Sequence, residues 1–519
     1  MSPPASPLLI ASGAGILTLL LYSVARVVYL VFFHPLAKVP GPRLYAFSDI
    51  PYLYHAVRGE WPRTLKRLHD RYGPVVRFTQ NDVSFITPGA WKQIYSHKGH
   101  GEQSYEKDLR LYRPALSGAS SIITSNEADH RRMRRLLAHA FSEKALRGQE
   151  GIMKQYIDVL ITRMHEMARK DEVVDMVKWY NFTTFDLIGD LAFGDNSFKC
   201  LDSGGYHPWV AMIFDGFRQI TLLHALKRHP RLMFLKDYIM GNKITKSALE
   251  HFHLTQSTAK KRIESGKMDR EDFMSYILRH NDEKGMTVAE MIENSSTLIV
   301  AGSETTATLL SGTTFYLLSN PHAYGKLVKE VRSTFATEED ITLQRVNQLE
   351  YMLAVLNEGL RVYPPVPSGL TRITPKGGEF IEGYWMPEKT LVSVAQWAAH
   401  QSEQNFRQPQ EFIPERWLGD PRFASDMRDV VNPFSMGPRN CIGKNLAYAE
   451  MRLILARVLW NFDLEIMPDS RDWNKQDVYT LWEKGALNVK LTPVLREKVT
   501  LSTQGVGGQG LEKTPTPQS

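Results

Sequence analysis

Cysteine is nearly absent from this chain: Cys200 and Cys441 are the only two in 519 residues. That argues against a disulfide framework and fits a reducing compartment. Blocks of like charge are missing as well. The formal net charge is +7 with the basic residues spread along the chain, so nucleic-acid binding is not indicated. A membrane surface or an acidic protein partner is the expected use of that charge. No internal repeat is visible, and no Lys or Arg precedes the first apolar run. What the chain has is bulk. With 43% hydrophobic and 10% aromatic residues, it can bury a large core.

That first apolar run is Leu8 to Ala25, resuming after Arg26 as Val27 to Phe33. Its length is near the roughly 20 residues that span a bilayer. Arg26, Lys38 and Arg43 follow it, so the excess of positive charge on the cytoplasmic side places the rest of the chain in the cytosol. The competing reading is a cleaved signal peptide, with Ser23 and Ala25 as the small residues of its cleavage site. Such peptides need a basic leading segment and a short apolar core, and this run has neither. Residues 1–33 are therefore expected to form a membrane anchor and 34–44, with Pro35, Pro40 and Pro42, a semi-rigid connector. Residues 45–497 form the globular domain, and 498–519, rich in Gly, Gln, Pro and Thr, a disordered tail. Asn181-Phe-Thr and Asn294-Ser-Ser match the glycosylation pattern, and a cytosolic domain would leave both unmodified.

The most informative stretch is Phe434-Ser-Met-Gly437-Pro-Arg439-Asn-Cys441-Ile-Gly443, running into a helical segment from Lys444 to Arg457. Glycines four residues before and two after Cys441 supply backbone angles that a Cβ would forbid. A cysteine close to a helix N-terminus has its thiolate stabilised by the dipole and the free N–H groups. The plain alternative is a buried thiol acting as a small hydrophobe. Haem iron, however, accepts a single cysteine axial ligand.

Elsewhere, helical patterns dominate from Gly148 to His280, and β-type alternation is confined to short runs such as Val75–Thr79, Val83–Thr87, Gly369–Thr374 and Val392–Gln396. Residues 97–121 read as a long ordered loop, and Trp209–Met240 is apolar enough for either core packing or a substrate-access lid touching the membrane. His130 and Arg134 lie one turn apart on one side of a helix, suited to reaching a carboxylate. Thr287-Val-Ala-Glu290 is a capping box opening a helix that could run to Asn320. In its middle, Gly302-Ser-Glu304-Thr305-Thr306 is a polar patch with the features of a local helix opening. Glu358 and Arg361 are spaced for a charge-assisted pair. Pro468–Pro493 reads as a terminal hairpin region.

The Cys441 loop resembles the haem-thiolate loop of the cytochrome P-450 family at every defining position, and the resemblance extends from about Phe32 to Pro493. Its style is similar to fungal secondary-metabolism members such as the trichothecene-pathway hydroxylases. The resemblance implies a mainly α fold with a small β region, preceded here by one transmembrane helix. It implies heme b held by Cys441 as the metal ligand, with Phe434, Gly437, Arg439 and Gly443 shaping its loop. His130 (where the family has Trp), Arg134 and Arg372 would face the propionates. Ala301 and Gly302 head the family's oxygen-activation motif, in which Thr305 hydrogen-bonds dioxygen and Glu304 relays protons. Glu358, Arg361 and Arg416 match a structural triad. The implied activity is monooxygenation of a lipophilic small molecule at the endoplasmic reticulum membrane. Electrons would come from NADPH through NADPH-cytochrome P-450 reductase, with cytochrome b5 as a candidate second donor. The pocket walls would come from 97–122, 205–245, the helix before Ser303, 365–370 and 478–486. A reductase-independent isomerase or dehydratase is the runner-up, disfavoured because such members tend to lose the acid–alcohol pair. A non-catalytic haem-binding protein is the third reading.

Overall fold

The computed structural model describes residues 7–99, 103–108, 112, 117–194, 198–229, 233–234, 236–266 and 270–496. Most of these are helical, and the fold is organised by one 31-residue helix, Val288–Leu318, about 46 Å long at 1.5 Å per residue. Its start is fixed by a capping box: Thr287 Oγ1 accepts from the Glu290 N–H, and the Glu290 carboxylate accepts from the Thr287 N–H. The helix packs chiefly on Met176–Phe193, and Gly302 permits that approach. A Cβ there would come within 2.8 Å of Ile188 Cδ1. The expected helix opening at 302–306 is not found. The helix is unbroken there, because the small residue serves a close helix crossing rather than a kink. Around this pair lie Glu143–Arg169, Glu350–Val362 and Lys444–Asn461, enclosing one large apolar core.

A second core lies under a five-stranded sheet ordered Val75–Arg77, Asp82–Phe85, Leu391–Val394, Arg372–Ile373, Glu106–Lys107. Asp82–Phe85 and Leu391–Val394 run parallel and the other pairs antiparallel. The register sets Arg372 opposite Lys107 on one side and Val392 on the other, so two cations share one edge of the sheet. The predicted terminal hairpin is only partly local. Val478–Tyr479 pairs with Leu481–Trp482, but Asn488–Pro493 pairs with Phe462–Ile466, upstream of the expected region.

The helix Pro7–Val28 continues through a π turn to Phe33, with most of its apolar side chains from Ile16 to Phe33 exposed, and Ala11–Phe33 is long and apolar enough to cross a membrane. The connector is less independent than its prolines suggest. Leu36 and Val39 are buried in the sheet core, and the Arg77 N–H donates to Pro40 O at 2.7 Å. Buried Arg77 also reaches Leu30 O at 3.0 Å and Ala46 O at 3.3 Å. Arg77 thus satisfies a connector carbonyl through its backbone N–H and a carbonyl on either side of the connector through its guanidinium. Only parts of the 97–121 loop fall within the described residues, and the expected tail lies outside them. Of the lid segment, Pro208–Arg228 is helical, and Phe234 and Tyr238 are exposed. Asn181 and Asn294 are both buried, bonded to Tyr206 OH and the Ile122 N–H. Burial alone would disfavour their modification in the folded domain, so absence of sugar would not report topology.

Candidate active site

The Cys441 loop is folded by its own backbone and by the sheet domain. The Cys441 N–H donates to Phe434 O at 2.8 Å. Gly437 has φ +70°, and a Cβ there would run into the carbonyl of Tyr95, so this position requires glycine. Gly443 differs: a Cβ would lie 3.9 Å from Cys441 Sγ, an ordinary contact. The Phe434 ring packs against Tyr448 at 5.4 Å between centroids. Although Cys441 is exposed toward a cavity, its sulfur lies deep in the molecule, and desolvation pushes the thiol pKa up. The Gly443 N–H, Arg134 and Lys444 oppose this only in part. The helix-terminus effect expected from sequence is therefore outweighed. Its helix begins at Lys444, three residues on, and the dipole acts only over the first turn. A cation on the sulfur would reverse the balance.

The cavity measures about 320 Å3, within the range of small-molecule sites. Phe434, Cys441, Ile442 and Ala447 line one part, and Leu298, Ala301 and Thr305 of the long helix another. Ile122, Ile123, Pro365, Val366 and Leu370 complete an apolar wall. Lys107, His130, Arg134, Arg372 and Arg439 all reach the same cavity, and no carboxylate lines it among the described residues. Arg134 is held by Asn440, through the carbonyl at 2.5 Å and Oδ1 at 2.6 Å. Arg439 Nη2 donates to Ser125 O at 3.0 Å, while its Nη1 is buried without a partner. Burial, together with Arg439, Lys107, Arg134 and Arg372, pushes His130 down to about 3. Burial, with Arg372 and Arg439, pushes Lys107 down to about 6. Crowded cations and an orphaned guanidinium N–H are expensive unless an anion joins them. A soft thiol beside a cationic, acid-free rim fits an iron-bearing macrocycle with carboxylate arms.

Lys107 is the residue that sequence reasoning missed. The loop around it carries no motif, and only the pairing with Arg372 brings it to the rim. Glu304 also stands differently from expectation. Thr305 lines the cavity and donates to Ala301 O at 2.7 Å, but Glu304 does not line it. Successive helical residues point about 100° apart. Glu304 is buried against Lys484 and Thr308 instead.

A second buried acid, Glu450, lies on the helix that follows the Cys441 loop. Desolvation raises its pKa from 4.5 to about 8, opposed in part by Thr306. A raised carboxyl pKa means stability fully present below pH 4.5 and progressively lost as pH rises toward 8. Glu450→Gln, permanently neutral, should therefore resist urea better than the wild type at pH 8.5 and lose most of that advantage by pH 5. Parallel urea curves at the two pH values check this.

Residues 39–488 match the family description Cytochrome P450. The chain is 46% identical over 479 residues to the cytochrome P450 monooxygenase efuB of Hormonema carpetanum, covering 91% of this chain and 95% of the relative. It is 47% identical over 473 residues to the cytochrome P450 monooxygenase astA of Talaromyces wortmannii, covering 91% and 95%. It is also 44% identical over 487 residues to a trichothecene C-4 hydroxylase of Trichoderma arundinaceum, covering 92% and 96%.

Proposed function

Because this chain belongs to the cytochrome P450 family and is a haem monooxygenase, we propose that it inserts one oxygen atom into a lipophilic small molecule of fungal secondary metabolism while anchored in the endoplasmic reticulum membrane. The observation that carries this reading is the cavity in which Cys441 Sγ, an acid-free cationic rim and Thr305 meet. Cys441 would hold the haem iron. Lys107, His130, Arg134, Arg372 and Arg439 would hold the carboxylate arms by charge-assisted hydrogen bonds. When bound, haem supplies the activation of dioxygen and the transfer of one of its atoms.

The chain's own residues do the rest. Phe434 and Ile442 keep water from the sulfur, and the apolar wall of Ile122, Leu298, Val366 and Leu370 orients a substrate without polar contacts. The Thr305 hydroxyl, now donating to Ala301 O, can turn to hold a proton at Oγ1 on the cavity side. Glu304 supplies that hydroxyl with protons. NADPH-cytochrome P450 reductase is the proposed electron source, with cytochrome b5 as a second donor. The exposed apolar helix at the N-terminus supports the single-pass anchor, and Arg26, Lys38 and Arg43 after it support a cytosolic catalytic domain.

The test is product formed per nicotinamide oxidised in a reconstituted system. Thr305→Ala should keep haem content and the thiolate spectrum, because Thr305 holds no part of the cofactor. Its product yield should fall by about tenfold or more, with peroxide released instead. Product made without reductase or dioxygen would favour an isomerase or dehydratase, and no product under any condition a haem carrier.

A further inference from the structure

We propose that Lys484 is a positioning residue for proton delivery by Glu304, an inference that rests on the monooxygenase reading above. Lys484 follows the strand Leu481–Trp482 in a turn that the fold holds firmly. Gly485 O accepts from Trp473 Nε1 at 2.8 Å, and the Leu487 N–H donates to Asp175 Oδ1 at 3.1 Å. From this turn the lysine enters the protein until its side chain is only 3% exposed, beside a Glu304 side chain also 3% exposed. Its Nζ donates to Glu304 Oε1 and, at 2.7 Å, to Thr308 Oγ1. The Thr308 hydroxyl donates to the same carboxylate oxygen at 3.3 Å.

Two observations set this group apart from a purely structural ion pair. Glu304 directly precedes Thr305, which lines the cavity, so its carboxylate is carried one residue away from the cavity-side hydroxyl. Glu304 Oε2 is also buried with no hydrogen-bond partner. An ion pair built for stability alone would satisfy both oxygens. The free oxygen leaves a place to receive a proton. Desolvation raises the Glu304 pKa, and Lys484 and Thr308 pull it back. The other titratable groups that feel its charge are Tyr206 and Tyr363, both raised and neutral at working pH. Lys484 is thus the cation that opposes desolvation at Glu304 and favours its carboxylate form. In the delivery step the Glu304 O–H breaks and its proton passes to the Thr305 side. The carboxylate then returns to Lys484, where it rests until a solvent hydronium gives it the next proton and leaves water.

The experiment uses the full-length haem-loaded protein and the variants Lys484→Gln, Lys484→Arg and Glu304→Gln. Lys484→Gln can still hydrogen-bond Thr308 and so guards against simple unfolding. Without the ammonium, Glu304 is neutral over a wider pH range. Infrared spectra of Lys484→Gln at neutral pH should show a protonated-carboxyl band over and above the Glu450 absorption that the wild type and Lys484→Arg already carry. Adding Glu304→Gln should remove it. In turnover, the alkaline fall in coupled product formation should move to higher pH in Lys484→Gln and return to the wild-type position in Lys484→Arg. No Glu304-dependent band, or a pH profile unchanged in Lys484→Gln, overturns the proposal. The infrared measurement needs no turnover, so it can refute the Lys484 role even if the wild type makes no product. A wild type without product refutes the monooxygenase reading instead.

Discussion

Cys441→Ser should abolish the red-shifted absorption band expected of the reduced, carbon-monoxide-bound protein, and with it all product formation. The band requires sulfur on the iron, and a hydroxyl does not replace a thiolate there. Cys200→Ser should keep the band. Cys200 is fully buried outside the cavity, its thiol pushed up to about 12 by burial and by Asp186, and its Sγ accepts from the His207 N–H at 3.5 Å. It has the properties of a small core hydrophobe. The paired measurement is an absorption spectrum of each variant, with haem per chain as control. A normal band from Cys441→Ser would remove the basis of the proposed function.

Glu358→Ala is expected to be as damaging, by a different route. Glu358, Arg361, Arg416 and Asp426 form a network whose side chains are all 0% exposed. Glu358 accepts from Arg361 at 2.7 and 2.8 Å, from Arg416 Nε at 3.0 Å, and from Trp417 Nε1 and the Ile413 N–H at 2.9 Å each. Arg361 carries the connection on to the carbonyls of His400 and Pro409, so one carboxylate binds a helix to the long segment that precedes the Cys441 loop. Removing it leaves two buried guanidiniums short of an anion. Breaking a buried pair from one side costs about 3–5 kcal/mol, a large part of the roughly 5–15 kcal/mol that holds a domain folded. Glu358→Ala should lower the urea midpoint sharply and yield chain with little haem. Glu358→Gln, which keeps some hydrogen bonds, should fall between. Wild-type haem content and stability in Glu358→Ala would show the network to be dispensable.

The parts legible in the sequence are those whose physics is local. The capping box at Thr287 and Glu290 gives the start of the long helix, because the cap and its partner are three residues apart. The spacing of Glu358 and Arg361 announces their pair for the same reason. The family-like pattern around Cys441 marks the thiol, and the left-handed backbone at Gly437 accounts for one of its glycines. The apolar run at the N-terminus declares its own length. Tertiary structure decided whatever depends on separate strands or turns meeting. Lys107 reaches the cationic rim only because its strand pairs with that of Arg372, across more than 260 residues of chain. Lys484 meets Glu304 at a separation of 180 residues, turning a carboxylate that the motif assigns to the cavity toward a buried cation. Gly302 is explained by Ile188 on a neighbouring helix, not by a break in its own. Cys441, near a helix start in sequence, has its pKa raised by enclosure that only the folded chain provides. Desolvation and long-range charge are properties of what surrounds a group, and one-dimensional spacing does not carry them.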